Sequence, residues 1–166
     1  CDRKSKTHEQ IRIRASRGDT NAQFELALAL LVDLKKRPDA VAAIQTLASA
    51  GHPRAEAQLG IMHFNGIGVT ESRQLAWMWF LKAAKHGDPF ATFRLAQRCE
   101  TEPGITNGNI LAYALYTFAV NGGFDPASMD LKRLDAKMSS VEISQGKSLV
   151  NNRDEVWSFI DPLLLK

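Results

Sequence analysis

The chain has 166 residues, 45% of them apolar and 23% charged, with 21 basic against 18 acidic side chains and a formal net charge of +3. This composition suits one domain with a real core, contains no apolar run near the roughly 18 residues of a membrane helix, and lacks the basic stripe or reading motif of a nucleic-acid binder. The two cysteines, Cys1 and Cys99, make neither a disulfide framework nor a C-x-x-C pair, and His8, His52, His63 and His86 are too dispersed for a zinc site, so no metal or cofactor is expected.

The first residue is Cys1. A cysteine heads a mature bacterial lipoprotein, where it carries the lipid anchor; a chain that merely happens to begin at a cysteine is the plain alternative. Residues 1–10 are charged and almost free of apolar side chains, and read as a flexible tether. Arg3, Lys4, Lys6, Arg12, Arg14 and Arg17 crowd the first 17 residues, which suits a place beside an anionic membrane. The expected location is the periplasmic side of a bacterial envelope, with the membrane reached through the anchor. A lone Cys99 in that oxidising compartment must then be buried.

Beyond residue 10 the chain repeats itself. Gly18, Gly51, Gly87 and Gly123 stand at intervals of 33, 36 and 36 residues. Each is followed by an alanine four residues on, and that by a leucine after four more: Ala22 and Leu26, Ala55 and Leu59, Ala91 and Leu95, Ala127 and Leu131. A spacing of four puts each pair on one helix face. Eleven residues before the three later glycines lie Ala40, Ala76 and Ala112, each opening a second apolar stripe. The first runs Ala40, Ala43, Ile44, Leu47, Ala48; the second Ala76, Trp79, Phe80, Ala83, Ala84; the third Ala112, Leu115, Tyr116, Ala119, Val120. Each unit therefore reads as a helix, a turn, a second helix and a glycine stop in the left-handed conformation. Pro53 and Pro89 suit the opening of the next helix, where no N–H partner is needed. One helix pair cannot bury its own apolar face, and stacked pairs can. Asp125 to Asn151 reads as a closing helical region. Residues 153–166, with Val156, Trp157, Phe159 and Ile160, read as an amphipathic cap or, less simply, a docking helix for a partner.

The middle copy, Ala55 to Val69 and then Ala76 to Gly87, resembles the Sel-one-like repeat, a relative of the tetratricopeptide repeat. Leu59, Gly60, Gly66, Gly68, Val69, Ala76, Trp79, Ala83, Ala84 and Gly87 carry the likeness, which extends over roughly residues 15 to 150. His63 stands where that family has tyrosine, with Leu30 and Cys99 in the same slot of neighbouring copies. The slot is core, so His63 is expected as a satisfied, partly buried histidine. The resemblance implies an all-α, right-handed α/α superhelical solenoid of three to four helix-turn-helix repeats over residues 11–152, closed by capping helices. Some cysteine-rich relatives are described as β-lactamases, but their regular cysteine pairs are absent here.

No nucleophile–base pair, metal motif or phosphate loop is visible. Asp33, Asp39, Glu71, Glu100, Glu102 and Asp130 read as solvated carboxylates, and no enzymatic activity is expected. The resemblance implies binding of another protein along the concave face lined by the first helix of each pair. Positions off the core stripe give the candidate contacts: Phe24 in the first copy; Arg54, Phe64 and Asn65 in the second; Phe90, Phe93 and Gln97 in the third, with Trp77 beside them. The phenylalanines either pack between repeats or form an exposed patch. A charge at Phe93 is expected to weaken binding without unfolding the chain. Sel-one-like lipoproteins include envelope adaptors and immunity proteins that neutralise lipase effectors of type VI secretion, and both roles are expectations here.

Overall fold

The computed structural model describes residues 2–164. Among them no strand occurs and ten helices follow in order: α1 (Asp2–Ser16), α2 (Thr20–Leu31), α3 (Arg37–Ser49), α4 (Pro53–Asn65), α5 (Arg73–Lys85), α6 (Pro89–Thr101), α7 (Gly108–Asn121), α8 (Ala127–Asp135), α9 (Ser140–Asn151) and α10 (Arg153–Leu164). Among the described residues the chain is all-α, as in a helical solenoid. Two compact units divide it, one ending at Ala76 and the other beginning at Trp77.

The repeat boundaries follow from local chemistry. Gly51 and Gly87 adopt φ of +82° and +92°, a conformation that costs a residue with a Cβ and that Gly18 and Gly123 share. The residue after the glycine caps the next helix. Asp19 accepts a hydrogen bond from the Ala22 N–H at 3.0 Å, and Asp88 from the Ala91 N–H at 2.8 Å. In the copy between them His52 has the same task through Nδ1, 3.2 Å from the Ala55 nitrogen. Nδ1 is therefore unprotonated, and Nε2 carries the proton it donates to Asn21 Oδ1 at 3.0 Å. Such caps contribute about 1 kcal/mol each.

In the first unit, α2 packs on α1 and α3, and α3 packs on α4. Its core is Ala22, Phe24, Ala27, Ala40, Ile44, Leu47, Ala55, Leu59 and Met62. α1 begins at Asp2, inside the stretch expected as a tether. Its local hydrogen bonds need no core, and only Ala15, near its end, is buried among its described side chains. Cys1 lies outside the described residues. His63 is partly buried and donates from Nδ1 to the Thr70 carbonyl at 3.0 Å, while its own carbonyl accepts from the Ser72 N–H at 2.8 Å. It thereby pins the turn that follows α4.

In the second unit, α7 is the hub and packs against α6, α8 and α9. Ala112, Leu115, Tyr116 and Ala119 are inaccessible to solvent, as are Ala83, Ala84 and Phe80 of α5. A Cβ at Gly146 on α9 would lie 2.6 Å from Cδ1 of Tyr113, so that glycine sets how closely α9 approaches α7. α10 closes the unit with Val156, Trp157 and Ile160 buried, Arg153 over the rings of Phe118 and Trp157, and Lys85 ion-paired with Asp161 at 2.7 Å. Phe159, read as part of the apolar face of this helix, is instead half exposed.

Three stripe positions depart from expectation, one of them Val120, which is only partly buried. Ala43 is exposed, and Trp79 is only partly buried, with the Lys82 ammonium 4.4 Å above its ring. The paired leucines are buried in the two middle copies, Leu59 and Leu95, and only partly so at Leu26 and Leu131.

Candidate functional site

Helix α6 is built with two opposed faces. Ala91, Thr92, Leu95, Ala96 and Cys99 are buried. Phe90, Phe93, Gln97 and Glu100 recur at spacings of three, four and three, so they share the opposite face, and all four are partly buried. Phe93 lies 5.0 Å from the ring of Phe124 and 5.8 Å from Tyr116. Phe90 sits 5.7 Å from Phe124 and 6.3 Å from Phe80, both edge-on. The rings thus pack against neighbouring aromatic side chains while each residue keeps some access to solvent. Phe90 and Phe93 accordingly combine the two readings left open by the sequence.

The polar end of this face is an ion-pair network between residues far apart in the sequence. Arg133 of α8 binds both carboxylate oxygens of Glu100, one of them at 2.8 Å, and also Asp130 at 2.8 Å. The Tyr116 hydroxyl donates to Glu100 at 2.9 Å. The Arg133 hydrogen bonds hold the Glu100 carboxyl below its ordinary range, despite partial burial. Burial, with the Glu100 carboxylate beside it, raises the Tyr116 hydroxyl. Glu100 and Asp130 are therefore not free solvated carboxylates: each is committed to Arg133. Only the three-residue step from Asp130 to Arg133 hinted at this, since Glu100 lies 33 residues away, about one repeat.

Trp77 is partly buried, with the Arg98 guanidinium 4.9 Å above its ring and Phe80 at 5.6 Å. Gln97 lies two turns along α6 from Phe90. A polar cleft of about 300 Å³ opens beside this end of α6, lined by Glu100, Glu102, Asn107, Asn109 and Glu142. Its carboxylates have partners: Glu102 faces Arg98 at 3.6 Å, and Glu142 closes a capping box with Ser139. Among the described residues no group of three or more His, Cys, Asp or Glu side chains is placed to hold a metal ion.

The candidates of the first unit sit apart in character. Phe24 was expected on the binding face, but only 2% of it is exposed: its ring stacks on His52 at 5.3 Å and lies beneath the Arg54 guanidinium at 5.0 Å. The start of α4 covers it, so it is a core residue. Arg54 and Asn65 are exposed, and Phe64 is half-covered, with Arg73 5.8 Å from its ring centre. Asn65 donates to the Ile61 carbonyl at 2.9 Å, which leaves its amide oxygen for other donors. Cys99 is buried, and burial pushes its thiol up to about 12.

The Sel1 repeat profile matches residues 53–88, the copy from Pro53 to the Asp88 cap. A Sel1 repeat protein from Oxalobacter formigenes is similar in structure, with a TM-score of 0.62 and 31% identity over 75% of this chain and 96% of that one. A protective antigen of uropathogenic Escherichia coli with an SLR fold gives a TM-score of 0.71 at 22% identity, over 94% of this chain and 35% of its own length. The likeness to the antigen is one of fold, and this chain spans about a third of it. From the glycine-stopped repeats, their matching caps and the near-complete overlap with the Oxalobacter formigenes protein, the chain belongs to the Sel1 repeat family.

Proposed function

We propose that this protein is a non-catalytic binding module that recognises another protein through the half-exposed face of α6. Sel1 repeat proteins in general act as scaffolds for protein–protein interaction. The observation that carries the reading is the alignment of Phe90, Phe93, Gln97 and Glu100 on one face, with Glu100 fixed by Arg133. Aromatic edges and arginine are the side chains that anchor protein interfaces, and groups already held in place lose little freedom on binding. A second contact area in the first unit comprises Arg54, Phe64 and Asn65.

Affinity purification from the source cells, comparing the wild type with Gln97→Arg and Arg54→Glu, tests the proposal. Both positions are solvent-accessible, so the helical signal should survive. A stoichiometric protein lost on Gln97→Arg supports the α6 face, and one lost only on Arg54→Glu moves the contact to α4. A protein retained by both variants contradicts both assignments. Periplasmic adaptor and immunity roles are narrower forms of the same proposal. A secreted lipase as the bound protein, inhibited on mixing, would support the latter.

A further inference from the structure

We propose that the α2–α3 connection of the first unit is a contact loop for an anionic lipid surface. Val32 is 82% exposed and Leu34 73%, the most exposed apolar side chains on that unit among the described residues. Single exposed aliphatics are ordinary. Two at the tip of one tight turn, followed directly by Lys35, Lys36 and Arg37, form a more specific pattern.

The turn is held in shape. The Asp33 N–H donates to the Leu30 carbonyl at 3.2 Å, and the Lys36 N–H to the Asp33 carbonyl at 3.0 Å. Arg37 Nε donates to the Leu31 carbonyl at 3.1 Å. The Asp33 carboxylate is folded back on the loop, accepting from the Lys35 N–H at 3.0 Å and lying 3.8 Å from Lys36 Nζ. The acid of the turn is thus occupied inside it, while the two aliphatic side chains stand outward.

Topology adds to the charge at this end. α1 and α2 are packed against each other and joined by a three-residue turn, so they run back to back; α1 has 15 residues and α2 has 12. At about 1.5 Å per residue, the first turn of α1 reaches the level of the Val32 loop. The sequence of that first turn is basic, with Arg3, Lys4 and Lys6 against Asp2.

A lipid surface fits this arrangement better than a protein. A stable protein interface needs on the order of 1,000 Å² of complementary surface around aromatic or arginine anchors. A protruding pair of aliphatics does not supply that. It does match the acyl boundary of a bilayer, with cations behind it at the depth of the phosphates.

The test is flotation of the full chain with vesicles of phosphatidylcholine alone and of phosphatidylcholine with about one third phosphatidylglycerol. The protein is expected to float with the mixed vesicles, to stay behind with the neutral ones, and to be released by salt. Val32→Ser with Leu34→Ser should cut binding by about tenfold with an unchanged circular dichroism spectrum. Lys35→Glu should weaken binding to the mixed vesicles independently. No flotation with either vesicle, or undiminished flotation of the serine variant, would overturn the proposal. So would sedimentation as a dimer that the serine pair dissociates, which would seat a second copy on the loop.

Discussion

Arg133 on α8 grips Glu100 on α6 by both carboxylate oxygens, fastening two helices that lie one repeat apart in the chain. Arg133→Ala leaves Glu100 held by the Tyr116 hydroxyl. The side chain of Arg133 is 42% exposed, so the expected loss is modest, about 1–2 kcal/mol in urea unfolding.

The same pair predicts a pH dependence. Glu100 titrates below its ordinary value of 4.5, chiefly because Arg133 hydrogen-bonds its charged form. A carboxyl with a depressed folded-state value contributes stability that is complete above the unfolded value. That stability is lost as the pH falls through the folded value. The melting temperature of the wild type should therefore drop more steeply below pH 4.5 than that of Glu100→Gln. Parallel melting curves for the two proteins would show that the pair contributes nothing to folding.

Phe93→Asp now carries a different expectation from the one the sequence suggests. The ring packs on Phe124 and Tyr116, so a carboxylate there loses aromatic contact and is partly desolvated. The expected cost is about 2–3 kcal/mol, read as a lower urea midpoint. Unchanged stability would return Phe93 to the role of a pure contact residue.

Gly87 has φ of +92°, and no atom lies within 4 Å of the place a Cβ would take. Any penalty for substitution is then conformational rather than steric. Gly87→Val should cost about 1 kcal/mol or more, and Gly87→Asn less, since asparagine tolerates the left-handed region. Thermal melting of the two variants checks the order.

The repeat was legible because its punctuation is local. A left-handed residue between helices favours glycine, a cap needs a short acceptor, and both recur in register at Gly51–His52 and Gly87–Asp88. The buried stripes followed from helical spacing, as Ala76, Phe80, Ala83 and Ala84 show. What spacing does not give is which neighbour covers a given face. Phe24 is buried by His52 and Arg54, about 30 residues away. Glu100 meets Arg133 at a similar remove. α1 escaped notice because a polar sequence can form a helix that buries almost nothing.

Cys99 should be silent in the folded protein. Its thiol is buried and raised to about 12, so almost no thiolate is present near neutral pH. Alkylation should proceed only as the protein opens, with a rate that climbs with urea. Reaction at the speed of a free thiol in buffer would mean that the α6–α7 packing opens readily.

The most direct measurement of the binding account is site-specific photocrosslinking in the source cells. A photoreactive side chain is placed at Gln97 on the half-exposed face of α6, and in a second protein at Thr46, an exposed position on α3. One discrete protein adduct is expected from Gln97 and none from Thr46. The same adducts from both positions, or none from Gln97 in cells that yield a co-purified partner, would contradict it.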